Sequence, residues 1–202
     1  MKTSLENKLS RRSFAAALLG LGVAPTLGVS MTQSAARQLV LSLVKDINRV
    51  IASGRSEAAI IQDFEKIFAR YADVPTISRA ALGPAARSAP ASELSAFAGA
   101  FQGYMARKYG RRFREFQGGQ IEVDSVEDRG RFFEVQARAV LRGQSPFQVA
   151  FRVSDRSGRD LFFDMLIEGI SLLSSERVEI GALLDQAGGS IPRLTQTLRT
   201  TG

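Results

Sequence analysis

The period of the apolar pattern changes near residue 120, and this change limits the possible folds more than any other feature of the chain. Downstream of it, side chains alternate with a period of two, as in strands with one buried face. In "RFFEVQARAVL", Phe133, Val135, Ala137, Ala139 and Leu141 point one way, and Glu134, Gln136 and Arg138 the other. "FQVAFRV" repeats the pattern with Phe147, Val149, Phe151 and Val153, and "LFFDMLI" with Leu161, Phe163, Met165 and Ile167. "QIEVDSV" alternates over a shorter length. The links "EDRG", "RGQSP" and "SDRSG" are short and turn-rich. Links this short join only antiparallel neighbours, so the four runs predict a meander with one polar and one strongly apolar face.

Upstream and downstream the period is helical. Ala36, Leu39, Val40, Leu43, Ile47, Val50 and Ile51 form one stripe, and Gly54 ends it. Ser56 is placed to cap a second helix facing inward through Ile60, Phe64, Ile67, Phe68 and Tyr71. "DVPTISRAALGP" reads as a short helix closed by Gly83 and Pro84. Ser92 is expected to cap the next, with the stripe Leu94, Phe97, Ala98, Phe101, Tyr104 and Met105. After the strands, "SLLSSERVEIGALLD" is amphipathic through Leu172, Leu173, Val178 or Ile180, Leu183 and Leu184; Gly188-Gly189 closes it and Pro192 opens a last short helix. The expectation is an α+β domain: a four-stranded antiparallel meander with N- and C-terminal helices packed on one face.

Ahead of this domain stands an address. Arg11 and Arg12 precede an apolar run of 11 residues, Phe14 to Ala24, ending at Pro25. A bilayer-spanning helix needs about 20 apolar residues, so the run is too short for an anchor. A basic start, a short apolar run and small residues beyond it predict a cleaved export signal over residues 1–36, with the cut between Gly28 and Ala36. The order Ser10-Arg11-Arg12-Ser13-Phe14 is similar to a twin-arginine signal. Residues 37–202 then form a single domain, enough for a sizeable core. The signal carries +3 of the formal +7, leaving the domain near +4. That mild basicity suits anionic surfaces, and an exported protein rarely meets nucleic acid. Without cysteine to accept a lipid or pair in an oxidising compartment, the exported domain is expected to be soluble and to hold together by packing alone.

The chain has no histidine either, which removes histidine-based triads, the usual zinc sites and any imidazole base. Glycine-rich phosphate loops and calcium-loop spacings are also missing from the sequence. Two readings of the apolar sheet face stay open. It makes an ordinary filled core, or a curved sheet and its helices enclose a dry cavity for an apolar ligand. In the second case the lining candidates are Phe64, Phe68, Phe97, Phe101, Tyr104, Phe133, Val135, Val149, Phe151, Phe163, Met165 and Ile167. Sheltering a two-chain lipid, with about 30 methylenes at about 0.8 kcal/mol each, calls for a cavity near the top of the usual size range. The cations Arg107, Lys108, Arg111 and Arg112 are either solvated charges at a helix C-terminus or a docking and head-group site. Asp164, Glu168, Glu176 and Glu179 lie close in sequence, but no spacing brings any two together.

Several stretches together resemble the MlaC family of periplasmic phospholipid-binding proteins. They are "FEKIFARYADVPTISRAALG", "FAGAFQGYMARKYGRRFREF" and "FFDMLIEGISLLSSERVEIGALL". The more specific parts are Y-x-D-x-x-x-I-x-R-x-x-L-G at Tyr71–Gly83 and "IEGISL" at Ile167–Leu172, and the resemblance spans roughly residues 36–199. It implies a soluble shuttle whose cargo is phospholipid; no enzyme activity and no cofactor are expected, and a monomer is expected because nothing in the sequence suggests a coiled coil or a fixed dimer face. The shuttle's partners would be an inner-membrane ABC-type complex and an outer-membrane lipoprotein–porin complex. Acyl tails would lie between sheet and helices, with the head group toward solvent. Many family members carry an ordinary secretory signal, where this chain carries the arginine pair; and the family has no fixed catalytic motif to transfer. Two other readings compete: an envelope interaction or chaperone module with a filled core, and a small enzyme in which an acid and a phenol, such as Asp164 and Tyr104, converge.

Overall fold

The computed structural model describes residues 31–111 and 119–202. The arginine pair, the apolar run and Arg112 lie outside them. Residues 31–36, the end of the expected signal, hold the start of the first helix. The order is α1 (Gln33–Ile51), α2 (Glu57–Tyr71), α3 (Val74–Leu82), a 3-10 turn (Gly83–Arg87), α4 (Ala91–Gly110), β1 (Gln120–Asp128), β2 (Phe133–Val140), β3 (Phe147–Ser154), β4 (Leu161–Ile167), β5 (Ile170–Ser171), α5 (Leu172–Gln186) and α6 (Ile191–Leu198).

Local chemistry sets the helix starts. Thr32, Ser56, Asp73, Ser171 and Ser190 each accept a hydrogen bond from a backbone N–H three residues on, satisfying donors the first turn leaves unpaired. Ser92 does not cap α4: that helix begins at Ala91, and Pro90 ahead of it gives no side-chain cap. Pro90 cannot donate, and it biases the preceding residue away from helix, so the helix starts two residues earlier than a Ser92 cap would set it.

The sheet is an antiparallel meander in the order β1-β2-β3-β4-β5, with five strands where the sequence predicts four. The added strand is the return of a tight hairpin, with Ile167 paired to Ile170 around Glu168 and Gly169. Both turn residues take positive φ, 49° and 79°. That is the hairpin geometry whose twist matches the flanking strands.

β4 departs from strict alternation. Arg152 pairs with Asp164 while Val153 pairs with Phe162, so Phe163 is the extra residue of a bulge. Phe162 therefore faces inward too, where strict alternation expects only Phe163. It is buried beside Phe68 and Phe151, with ring centres 6.0 and 6.1 Å away. Phe163 meets the ring of Phe132 edge-on, with ring centres 5.5 Å apart.

The helices form a layer over the inner sheet face. α1 lies along β1 and crosses β2 and β3, while α3 and α5 reach β4. The α2–α3 corner is hooked to β4, where the Asp73 N–H donates to the Phe162 carbonyl at 2.8 Å. α4 packs on α2, α3 and α6, a second layer away from the sheet. No helix among the described residues is long and apolar enough to cross a membrane.

Candidate functional site

Between the helix layer and the inner sheet face lies a cavity of about 460 Å³. Its walls are almost entirely hydrocarbon. α1 contributes Leu43, Ile47 and Ile51; α2 contributes Phe64, Ile67 and Phe68; α3 contributes Ile77. The sheet contributes Ile121, Ala139, Leu141, Phe147, Val149 and Phe151, then Phe162, Phe163, Met165 and Ile167 of β4. Leu172 and Leu173 of α5 close one side. A cavity with such walls stays dry and takes apolar ligands. Its volume is in the lower part of the usual range for ligand sites, below the size expected for two acyl chains.

One end is polar. Lys108, Tyr109, Gln120, Ser175, Glu176 and Glu179 line it. Lys108 Nζ donates to Glu176 Oε1 at 2.7 Å and to the Tyr104 hydroxyl at 3.0 Å, and also reaches Glu179. Tyr109 donates its hydroxyl to the same oxygen of Glu176, and Tyr104 donates to Glu179 at 2.7 Å. The ammonium also sits over the faces of both tyrosines, at 5.3 and 5.6 Å. Burial raises the Glu179 carboxyl, but the bonds from Lys108 and Tyr104 outweigh it and leave it below the usual carboxylate range. Burial, and then donation to Glu179, push the Tyr104 phenol well above its ordinary value, so it acts as a fixed donor. Glu176 is 1 % exposed, and its Oε2 has no hydrogen-bond partner. The cluster reaches solvent through Lys108 and Glu179, whose side chains are 23 % and 47 % exposed.

Close packing of α2 on α4 holds this end in place. A Cβ added at Gly110 would lie 3.1 Å from Ile61 Cγ1 and 3.3 Å from its Cα. A side chain at Gly110 would have to push Ile61 back by a few tenths of an ångström, so glycine lets the last turn of α4, with Lys108 and Tyr109, sit this close to α2.

Of the residues anticipated for the cavity, Phe64, Phe68, Val149, Phe151, Phe163, Met165 and Ile167 line it. Phe97, Phe101, Tyr104, Phe133 and Val135 do not. Phe97 and Phe101 are fully buried on α4, whose stripe faces other helices rather than the sheet; only the helix's C-terminal end reaches the cavity. Tyr104 belongs to the same stripe and meets the polar end from behind, through its hydroxyl. Val135 is fully buried in β2, which α1 crosses, and Phe133 lies at the far end of that strand.

The basic candidates divide as well. Lys108 lines the polar end. Arg107 instead caps α6, donating to the Leu198 carbonyl and, at 3.0 Å, to that of Thr201. This is a favourable place for a cation, at a helix C-terminus. Arg111 is exposed and 3.6 Å from Glu57.

Sequence reasoning missed the α1 wall, Phe162 and the carboxylates. The first was visible as the α1 stripe, but nothing in the pattern placed that stripe over the cavity. Asp164 and Tyr104 are not joined. Asp164 is buried and accepts from Ser171 Oγ at 2.8 Å, from the Leu173 N–H at 3.1 Å and from Arg152 at 3.3 Å. It ties the start of α5 to the sheet and has the contacts of a structural anchor. Among the described residues no group of three or more histidine, cysteine or acidic side chains is arranged to hold a metal ion.

The fold has a solved counterpart. It is similar to the phospholipid-binding protein from Ralstonia solanacearum, solved in complex with a phospholipid, with a TM-score of 0.68 and 16 % identity over 81 % of this chain and 94 % of that one. The family model described as "MlaC protein" matches residues 39–200, from the middle of the first α1 turns to the end of α6. The match takes in every element that walls the cavity, and by it the chain belongs to the MlaC family.

Proposed function

We propose that this protein is an exported phospholipid carrier. The observation that carries the reading is the hydrocarbon-walled cavity with a polar cluster at its Lys108–Glu179 end, in a chain of the MlaC family. The likeness to a phospholipid-binding protein captured with its ligand supports it. Acyl chain lies along Val149, Phe151 and Met165 against α1 and α2, and the head group lies at the Lys108–Glu179 end, where solvent begins. Lys108 already gives its three N–H donors to Glu176, Glu179 and Tyr104, so this end offers a head group acceptor oxygen, the unpartnered Glu176 Oε2 above all, which suits an amine or hydroxyl of the head group.

Exposing both chains of a lipid to water costs about 24 kcal/mol, at about 0.8 kcal/mol for each of about 30 methylenes. A carrier that released its cargo into water would be far too slow, so loading and release happen against a partner that opens the cavity. At 460 Å³ the cavity does not enclose both chains as it stands, so loading moves the helices off the sheet. The partners in this reading are an inner-membrane ABC-type complex and an outer-membrane lipoprotein–porin complex. The compartment is the periplasm, reached through the twin-arginine-like signal. No step of this work needs catalysis, a metal or a cofactor.

The test is transfer of fluorescent phospholipid between donor and acceptor vesicles, with wild-type protein and Val149→Arg. The wild type accelerates transfer. The variant, folded by circular dichroism, does not, because a guanidinium buried in this wall excludes the chains. Transfer by the variant at the wild-type rate would show that lipid does not travel in this cavity.

A further inference from the structure

We infer that the export signal is removed at the Ser30–Met31 bond, and that the ammonium released on Met31 is held by the Asp155 carboxylate as an ion pair that the uncut chain lacks. The inference rests on the export reading above and fixes the bond that the sequence leaves open between Gly28 and Ala36.

Three observations converge on that bond. Leader peptidases take small side chains at the first and third positions before the cut, and Gly28-Val29-Ser30 supplies both, five residues past Pro25 at the end of the apolar run. Cuts further along damage the fold. Met31 is buried in the core, Thr32 Oγ1 caps α1 by accepting from the Ala35 N–H at 3.1 Å, and Ala36 is fully buried. A cut after any residue from Met31 to Ala35 removes part of this set. The third observation is a receiver already in place. The Met31 backbone nitrogen lies 2.7 Å from Asp155 Oδ2, at the turn that follows β3.

In the uncut chain that nitrogen is a neutral amide. Hydrolysis breaks the Ser30 C–N bond; water gives its OH to the Ser30 carbonyl carbon and a proton to the Met31 nitrogen, which takes a second proton from solvent at neutral pH. The resulting ammonium stands just before the positive end of α1, an unfavourable place for a cation. Asp155 offsets that repulsion, and its bond becomes charge-assisted, roughly twice as strong as a neutral one. Processing thereby fastens the N-terminus to the β3–β4 turn.

The test is N-terminal sequencing and intact mass of the protein recovered from the periplasm of cells making the full chain, followed by Asp155→Asn in two exported forms, one starting at Met31 and one extended to begin at Val29. The expected N-terminus is Met31, and Asp155→Asn lowers the folding constant of the Met31 form roughly fivefold more than that of the extended form. A periplasmic chain beginning anywhere else overturns the inference and leaves the export reading standing. Equal effects of Asp155→Asn in both forms overturn the ion pair. A full-length chain retained in the cytoplasm overturns the export reading and the inference with it.

Discussion

Ala137 and Ala139 are both on the inward face of β2, both buried, and one strand step apart. Only Ala139 lines the cavity. Replacing each with leucine should therefore change stability in opposite directions. Leucine adds three carbons. At Ala139 they enter open, apolar space, and at about 0.8 kcal/mol per methylene the upper estimate is a gain of about 2 kcal/mol. At Ala137 the same atoms meet a closed-packed wall, and overpacking costs about 1–3 kcal/mol. Urea unfolding of lipid-stripped protein reads both. The two variants then differ by about 3–5 kcal/mol, and with a slope of about 1–3 kcal/mol per molar the midpoints should part by at least about 1 M, Ala139→Leu above wild type and Ala137→Leu below it. Stripping matters, because bound cargo adds stability by mass action and would mask the difference. If both variants lose similar stability, the space beside Ala139 is filled and the cavity is not a place for cargo.

Other perturbations probe the parts around it. Lys108→Met leaves buried Glu176 without its cation and should cost about 3–5 kcal/mol in chemical unfolding; Lys108→Met with Glu176→Leu should recover most of that. Arg107→Met should lower stability by about 1–3 kcal/mol through the lost α6 cap, yet leave the amount of lipid taken up per folded molecule unchanged. Phe101→Ala, in the filled helical layer, should cost about 3–5 kcal/mol, and Phe64→Ala on the cavity wall markedly less. At Glu134, burial raises the carboxyl, but bonds from Arg129 and Arg152 outweigh it and hold it below the usual range. A lowered folded value means its stabilising contribution is full above the unfolded value near 4.5 and fades as pH falls through the folded one. Acid titration of unfolding should show a shallower loss in Glu134→Gln than in wild type.

How far the sequence carried can be seen residue by residue. The period-two runs placed the β2–β4 ladder and its inner face correctly, because alternation is dictated by burial on one side. The same alternation missed Phe162, since a bulge shifts register without changing composition, and both members of the adjacent pair Phe162-Phe163 line the cavity. β5 was missed because two residues are too few to show a period. On α4 the apolar stripe was read correctly as buried, but periodicity says which face is buried and not against what. Phe97, Phe101 and Tyr104 face α2, α3 and α6, a layer removed from the sheet. Glu176 was hidden for the opposite reason. Beside Ile180 and Leu184 it occupies the inward stripe of α5, a position where a carboxylate is tolerated only with partners that arrive from α4, 67 and 68 residues earlier in the chain.

The central claim is that the space between sheet and helices holds phospholipid. Solvent extraction and mass spectrometry of the protein purified without detergent from the cells that make it, beside an unrelated protein from the same fraction as control, test it most directly. The account predicts phospholipid in near-stoichiometric amount, lost in Val149→Arg. Phospholipid at control level in a folded protein that also takes up none from vesicles would contradict it.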